Sequence, residues 1–157
     1  MPIIILSARN QKINIVRGLE LGTDDYITKL FDHIKFLVRV KLVLRRTSIP
    51  RFSRSTRPFQ NGKLCIDFNA HEVSLNREIA KLVPIEYNLL WYLVQNADNI
   101  MTHHALLEKV WDPEYTNDTD YLKVYIQRLR AKLGDNHNAS RLMLTEWRVG
   151  YKLVKYS

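Results

Sequence analysis

One stretch in the first half of the chain, TSIPRFSRSTRP at 47–58, constrains the fold more than any other. It holds two prolines, three arginines and only two large apolar residues, Ile49 and Phe52, so it has too few apolar side chains to form a core. We interpret it as a linker between two parts of the chain. Residues 1–46 are few for an independent domain, whereas residues 59–157 have the length of an ordinary small one.

The composition of the 157 residues is that of a globular protein, with 46% hydrophobic and 25% charged side chains. No apolar run approaches the roughly 18 residues that indicate a membrane-spanning helix. No basic stretch precedes the apolar run near Met1, so a secretory signal is not expected. The single cysteine, Cys65, cannot form an internal disulfide, which favours a reducing compartment. We therefore expect a cytoplasmic protein.

Residues 1–46 show a strand–helix–strand–helix (βαβα) pattern. PIIIL predicts a buried strand, QKINIVRGLELG a helix that Gly22 ends, DDYIT a short strand, and DHIKFLVRVKLVLRR a helix with Asp32 as its N-cap. A parallel sheet covered by helices normally has more than two strands, so we predict part of a larger α/β unit. The last helix is apolar on two faces, and the second face needs a further partner.

Residues 59–157 show an antiparallel sheet, three helices and a terminal hairpin, in that order. KLCIDF, EVSLN and IAKLV predict short strands separated by tight turns. Pro84 is placed to begin the first helix and Thr102 to cap the second, before a third helix at 119–133. RLMLTEWRVGYKLVKY then alternates as two strands around a turn near Trp147.

Charge is segregated along the chain. Residues 59–120 hold four basic and ten acidic side chains, whereas residues 121–157 hold eight basic and two acidic ones. Residues 1–46 are also basic, with nine lysines and arginines against four acids. Such segregation indicates a surface that meets a polyanion.

The helix at 119–133 carries the clearest functional pattern. On a helical wheel its core stripe is Leu122, Tyr125, Ile126, Leu129 and Leu133, and the opposite line is Asp120, Val124, Gln127 and Ala131. Flanking that line are Lys123 and Arg130 on one side, and Arg128, Lys132 and Tyr121 on the other. The pattern suits a helix in the major groove of DNA, with amide and small side chains near the bases and cations near the phosphates. An amphipathic helix whose cations are merely solvated is the alternative.

The hairpin that follows this helix is typical of the wing of a winged helix-turn-helix. Arg148 at its tip is placed to reach the minor groove or the backbone, and Lys152 and Lys155 lie on its second strand. Trp147 either stacks on DNA or folds back onto the hairpin, and the sequence leaves both open.

Three motifs, LVPIEYNLLWYLVQNADNIMTHHALLEKVW, YLKVYIQRLRAKLG and TEWRVGYKL, together resemble the effector domain of the OmpR/PhoB family of two-component response regulators. PIIILSARN and GLELGTDDYITKLF are similar to the second half of that family's receiver domain. Within the family, TEWRVGY and YLKVYI most resemble the regulators of Kdp operons. The resemblance implies an α+β winged helix at 59–157, preceded by a partial α/β receiver at 1–46 that is truncated at its N-terminus.

The resemblance also implies roles for particular residues. DNA contacts are implied for the helix at 119–133 and the wing at 142–155, namely Lys123, Val124, Gln127, Arg128, Arg130, Lys132, Arg148, Tyr151 and Lys152. The turn implied to face RNA polymerase holds Asp112, Glu114, Tyr115 and Asp118. The receiver's switch residues are matched by Ser7, Tyr26 and Lys29. A homodimer through residues 10–46 is implied, with Asp24, Asp25 and Arg39 on its face.

The chain departs from the family pattern in three places. Glu146, Trp147 and Arg148 stand where the family's wing usually reads Thr-Val-Arg-Gly, and losing a glycine makes a turn with positive φ costlier. Leu30 replaces a proline, so we expect a trans peptide bond between Lys29 and Leu30. The phosphoryl-accepting aspartate and the acidic pair that holds Mg²⁺ have no counterpart here, so we expect no phosphorylation by the family's mechanism.

The sequence shows no glycine-rich phosphate loop, nucleophile elbow or metal-ligand spacing, and the adjacent His103 and His104 point in different directions on a helix. We therefore expect neither an enzyme nor a metal or other cofactor. The sequence predicts a DNA-binding transcription regulator whose partner is double-stranded DNA. A winged helix that binds another protein, and a non-functional gene fragment, are the alternatives.

Overall fold

The structure is a computed structural model that describes residues 1–29, 31–46, 57–135 and 141–156. The predicted trans bond at Leu30 and residues 47–56 of the predicted linker lie outside the described residues. The elements in chain order are β1 (Ile4–Ser7), α1 (Lys12–Glu20), β2 (Asp25–Thr28), α2 (His33–Arg46), β3 (Phe59–Asn61), β4 (Leu64–Asp67), β5 (Glu72–Leu75), β6 (Glu78–Ile79), α3 (Pro84–Gln95), β7 (Met101–Thr102), α4 (His103–Val110), a 3-10 helix (Pro113–Tyr115), α5 (Thr119–Lys132), β8 (Met143–Glu146) and β9 (Gly150–Leu153).

The N-terminal segment, residues 1–46, forms the predicted βαβα order. β1 and β2 pair in parallel, and α1 connects them. Gly22 adopts φ +90° just after α1, a conformation that favours glycine. Asp32 caps α2, because its Oδ1 accepts a hydrogen bond from the Ile34 amide at 2.7 Å.

The C-terminal module, residues 57–156, begins with a four-stranded antiparallel sheet in the order β3-β4-β5-β6. The predicted meander is confirmed for β4 and β5. β6 is only Glu78–Ile79, shorter than the predicted IAKLV strand, because residues 81–83 lead directly into α3 at Pro84. β3 is a three-residue strand that the sequence pattern missed.

Helices α3, α4 and α5 form the centre of the module. Leu89, Leu106 and Leu122, one from each helix, are fully buried in one cluster. The same cluster includes Ile66 from the first sheet and Leu153 from the hairpin, so the module encloses its own core. The predicted cap on α4 is confirmed, because the Thr102 hydroxyl accepts from the Ala105 amide at 3.1 Å.

A second sheet, in the order β7-β9-β8, holds the terminal hairpin against the start of α4. Gly150 lies so close to β7 that a Cβ there would come within 1.8 Å of the Met101 carbonyl oxygen. Only glycine fits at this position, and the close approach fixes the hairpin beside α4.

The N-terminal segment lies on the C-terminal module, with α1 packed against α5. Leu19 and Leu42 from the segment join the buried cluster of the module. The outer side of α2 is bare, since Ile34 is 72% exposed and Leu37 is 56% exposed. Among the described helices, none is both long enough and apolar enough to cross a membrane.

Candidate nucleic-acid interface

The outward line of α5 consists of Lys123, Gln127 and Ala131, which are all exposed. These residues are four apart and therefore lie on one face of the helix. Apart from Lys123, the line has one amide and one small side chain, as the helical wheel predicted for its outer surface. The line is narrow, because other elements cover α5 on both sides of it.

The hairpin covers the first side of this line through Arg130. Arg130 is 4% exposed, and its guanidinium donates to the Met143 carbonyl oxygen at 2.7 Å and to the Thr145 hydroxyl at 2.9 Å. Burial lowers the pKa of Arg130. Tyr151, which is 5% exposed, lies under the guanidinium, and burial raises its pKa. Arg130 and Tyr151 thus anchor the hairpin to α5 in this conformation.

Helix α3 holds two of the cations on the other side of the line. The Glu86 carboxylate is fully buried and pairs with Arg128 Nε at 3.2 Å and with Lys132 Nζ at 2.6 Å. Glu86 also accepts the Val83 amide at the start of α3, at 3.1 Å. The charges of Arg128 and Lys132 are therefore partly offset within the protein before any phosphate approaches.

Val124 is 3% exposed, although the helical wheel placed it opposite the core. Val124 belongs to the buried cluster that also includes Leu19 and Leu42 of the N-terminal segment, so α5 has a second partner. Tyr121 and Tyr125 on the same helix both donate hydrogen bonds to that segment. The wheel treated α5 as a helix with one buried face, whereas the structure buries two.

The hairpin tip projects from the protein. Trp147 is 80% exposed, so it does not fold back onto the hairpin, and the Arg148 guanidinium lies 6.0 Å from its ring centroid. Arg148 adopts φ +59°, the conformation for which a glycine is the usual residue. Lys152 pairs across the strands with Glu146 at 3.6 Å.

The Asp25 carboxylate, which is fully buried, joins the segment to the module. It accepts a hydrogen bond of 2.5 Å from each of the Tyr115 and Tyr121 hydroxyls and pairs with Arg39 at 3.2 Å. Asp24 plays a different part, because its Oδ2 accepts the Ile3 amide at 2.7 Å within the segment. Asp25 and Arg39, predicted on a dimer face, are paired within one chain.

The neighbouring charges in this cluster determine the protonation states of Arg39 and Tyr121. Burial lowers the pKa of Arg39, but Asp25, Tyr115, Tyr121 and Asp118 together raise it by more, so the net shift is upward. Burial and the Asp25 charge both raise the pKa of the Tyr121 hydroxyl. Arg39 therefore stays charged, and Tyr121 stays a neutral hydrogen-bond donor at neutral pH.

The turn predicted to face RNA polymerase lies against α2. Asp112 pairs with Arg45 at 2.7 Å, and Asp118 pairs with Arg39 at 3.6 Å. Tyr115 is fully buried by its contact with Asp25. The remaining predicted residue is Glu114, whose side chain lies outside the described atoms.

The three residues matched to receiver switch positions lie near one end of the two-stranded sheet. The Ser7 hydroxyl accepts the Arg9 amide at 3.1 Å, and the Tyr26 hydroxyl donates to the Arg9 carbonyl oxygen at 2.9 Å. The Lys29 side chain is exposed, while its amide donates to the Ser7 carbonyl oxygen at 2.6 Å. Within the described ranges, no group of histidine, cysteine or acidic side chains could hold a metal ion.

Comparison with known proteins assigns the family. Residues 76–153 match the family described as "Transcriptional regulatory protein, C terminal". The chain is 37% identical to the transcriptional regulatory protein ResD of Bacillus subtilis, over 96% of this chain and 65% of ResD. It is 35% identical to the sensory transduction protein RegX3 of Mycobacterium leprae, over 98% of this chain and 77% of RegX3. The chain belongs to the OmpR/PhoB family of response regulators. It spans about two thirds of the length of ResD.

Solved structures agree with the winged-helix fold. The Klebsiella pneumoniae RstA DNA-binding domain, solved in complex with the RstA box, has a TM-score of 0.59 at 31% identity and matches 62% of this chain and 97% of that one. DrrB of Thermotoga maritima, an OmpR/PhoB homolog, has a TM-score of 0.56 at 31% identity, over 98% of this chain and 67% of its own. The predicted α+β class is confirmed. The resemblance to Kdp regulators stays a prediction.

Proposed function

We propose that the chain is a DNA-binding transcription regulator of the two-component type, in which α5 enters the major groove and the β8–β9 hairpin contacts the adjacent backbone or minor groove. The observation that carries the proposal is the surface formed by the exposed line of α5 and the projecting hairpin. Arg130 ties these two elements together, and Trp147 and Arg148 project at the tip. The RstA domain bound to its box supports the proposal through a related fold.

Residue roles follow from exposure and pairing. Gln127 is the amide on the exposed line and is proposed to read a base, with Lys123 beside it on a base or a phosphate. Arg148 and Lys152 on the hairpin are proposed to contact phosphates. The pairing of Arg128 and Lys132 with Glu86 predicts a smaller contribution from those two cations.

The first test is fluorescence anisotropy of the whole chain with random duplex DNA and with a duplex selected from a random library. Binding should weaken steeply with salt, because phosphate contacts release counterions. Gln127→Ala should weaken the selected duplex by about 1–3 kcal/mol and the random duplex little. Arg148→Ala should weaken both by the same factor, and Lys63→Ala, on the exposed β3–β4 turn, serves as the control.

Salt dependence separates this proposal from a winged helix that binds protein. A flat salt response, or no binding to either duplex, would favour the protein-binding alternative. If Gln127→Ala and Arg148→Ala changed both duplexes equally, the proposed division between base reading and phosphate contact would be wrong.

We also propose that residues 1–46 do not take up a phosphoryl group. Asp25 is buried by two tyrosines and an arginine, and Asp24 is bonded to the Ile3 amide. Asp32 caps α2. Incubating the chain with acetyl phosphate and Mg²⁺ should leave its intact mass unchanged. A gain of one phosphoryl group on this segment would contradict the proposal.

Two protein partners belong to the same proposal, namely RNA polymerase at the turn from Asp112 to Asp118, and a second copy of the chain at Asp24, Asp25 and Arg39. The basic charge of residues 1–46 and the acidic charge of the turn support them. In this conformation the two surfaces contact each other through the ion pairs of Arg39 with Asp118 and of Arg45 with Asp112.

A further inference from the structure

The most exposed aromatic side chain among the described residues lies at the tip of the β8–β9 hairpin. Trp147 is 80% exposed, whereas Trp111 is buried and Trp91 is half-buried. Val149, on the same turn, is 46% exposed. An indole left in water forgoes the favourable burial that such a large ring normally gains. The tip therefore presents a large apolar side chain mainly to solvent.

The backbone of the tip is held at several points, so Trp147 projects from a fixed turn. The Val149 amide donates to the Glu146 carbonyl oxygen at 3.0 Å and closes the turn, and the Val149 carbonyl oxygen accepts the His103 amide at 3.0 Å. Gly150 lies so close to β7 that it has no room for a Cβ. A ring on such a support loses little further freedom when it binds, which favours a binding role.

Arg148 adds an exposed positive charge to the same tip. It adopts φ +59° at the third position of the turn, a conformation that glycine adopts more easily. The chain thus keeps a cation where glycine would be the easier residue. The guanidinium lies 6.0 Å from the Trp147 ring centroid, and the neighbouring acid, Glu146, is paired with Lys152 at 3.6 Å. An apolar ring beside an exposed cation suits a groove lined by phosphates.

The length of the hairpin places this tip beside the groove that is proposed to hold α5. Arg130 binds the hairpin at Met143 and Thr145, and Trp147 is four residues beyond Met143. At about 3.3 Å per residue, the tip lies roughly 13 Å along the strand from that anchor. The major groove is about 12 Å wide and the adjoining minor groove about 6 Å wide. A tip at about one groove width from the anchor meets the next groove, which is the narrow one.

The small size of the apolar patch favours DNA over a protein at this tip. A stable protein interface buries about 800 Å² on each partner. The described turn offers only two exposed apolar side chains, Trp147 and Val149. In contrast, a single projecting apolar side chain can enter between two stacked base pairs from the minor groove.

We propose that Trp147 contacts DNA by inserting its ring into the minor groove beside the major-groove site of α5, and that this insertion bends the duplex. This inference rests on the proposed DNA-binding function. Arg148 holds the adjacent phosphates while the ring partly unstacks one base step. Unstacking is easiest at pyrimidine–purine steps such as TA and CA. Trp147 therefore determines specificity at a position that no hydrogen bond reads.

The test compares Trp147→Ala with Arg148→Ala in the whole chain, on a duplex selected with the parent chain and labelled at both ends. Trp147→Ala should raise the Kd about five- to 150-fold, the factor for losing one base–aromatic stack, and should abolish the bend measured by energy transfer between the labels. It should leave the salt dependence unchanged. Arg148→Ala should also raise the Kd, but it should reduce the salt slope by about one and keep the bend.

Two controls show that the effect belongs to the ring at the tip. Tyr156→Ala removes an exposed aromatic side chain outside the hairpin tip and should change neither the Kd nor the bend. Trp147→Phe keeps a smaller ring and should retain part of the bend. Circular dichroism should be the same for all variants, because the Trp147 and Arg148 side chains are exposed.

Repeating the selection from a random library with Trp147→Ala tests the specificity. The parent chain should enrich a TA or CA step beside its site, and the variant should lose that step while keeping the bases read by Gln127. Retention of the step by the variant would overturn the specificity role of Trp147.

The outcomes separate the inference from the proposed function. A straight duplex in the parent complex overturns the inference, and so does an unchanged bend in Trp147→Ala, whatever its Kd. If Gln127→Ala still weakens the selected duplex more than the random one, the proposed function stands in both cases. If the parent chain binds neither duplex, the proposed function fails and the inference fails with it.

Discussion

The C-terminal module and the N-terminal segment bury their side chains in different ways. The C-terminal module encloses Leu89 and Leu106 completely with its own helices and strands. The N-terminal segment leaves Leu37 56% exposed, and its buried Leu19 and Asp25 are covered with the help of the module. The module therefore has the features of a self-sufficient fold, whereas the order of the segment depends on its contact with α5.

The largest expected effect is in the core of the module. Leu106→Ala should lower the free energy of unfolding by about 2–5 kcal/mol, because it leaves a cavity in a fully buried position. Urea denaturation followed by tryptophan fluorescence, which includes the buried Trp111, measures the change. A loss below about 1 kcal/mol would mean that the module is not closely packed around α4.

A smaller effect is expected where the two parts meet. Tyr121→Phe removes one hydroxyl from the buried Asp25 carboxylate and should weaken docking by about 1.5–3 kcal/mol, the usual range for a hydrogen bond to a charged group. Limited proteolysis should then cleave residues 1–46 faster while the module resists. Tyr156→Phe, at an exposed position near the C-terminus, is the matched control and should leave both rates unchanged.

High pH should weaken the contact between residues 1–46 and the module. The pKa of Tyr121 is raised by burial and by Asp25, so its contribution is fully present below the unfolded value near 10 and is lost as pH rises beyond it. Arg39 and Tyr115 also face this hydroxyl, and Arg39 opposes the shift. Proteolysis of residues 1–46 should accelerate above pH 10 in the parent chain and respond less in Tyr121→Phe. Burial raises the pKa of Tyr87 in the module to about 12, and its ionisation at high pH affects the parent chain and Tyr121→Phe equally.

The smallest effect is expected on the bare side of α2. Leu37→Ser should change the free energy of unfolding by less than about 0.5 kcal/mol, because the side chain is already mostly in solvent. Urea denaturation of Leu37→Ser and Leu106→Ala in parallel measures the difference between their free energies of unfolding. A loss comparable to that of Leu106→Ala would show that α2 is covered by a second copy of the chain.

The element order could be predicted from the sequence because it depends on local patterns. Pro84, Thr102, Gly22 and Asp32 mark helix ends where the structure has them. The missed strands, β3 and β7, have three and two residues, too few to show an alternating pattern.

The contacts of α5 could not be predicted in the same way. A helical wheel reports periodicity but not how many partners a helix has, so it placed Val124 outside and missed its cover. Asp25 and Tyr121 are 96 positions apart, and no local pattern connects them. The buried ion pairs of Glu86 could have been predicted, because Glu86 is the one acidic residue within the apolar sequence of α3.

The most direct measurement is hydrogen–deuterium exchange of the whole chain, parent and Asp25→Asn together. Amides of α1 and β2 should exchange faster than those of α3 and α4, because the segment opens without unfolding the module. Asp25→Asn should accelerate exchange in α1 and β2 and leave α3 and α4 unchanged. Equal exchange in both parts, slowed or accelerated together, would mean that the chain is one cooperative unit and would contradict the account.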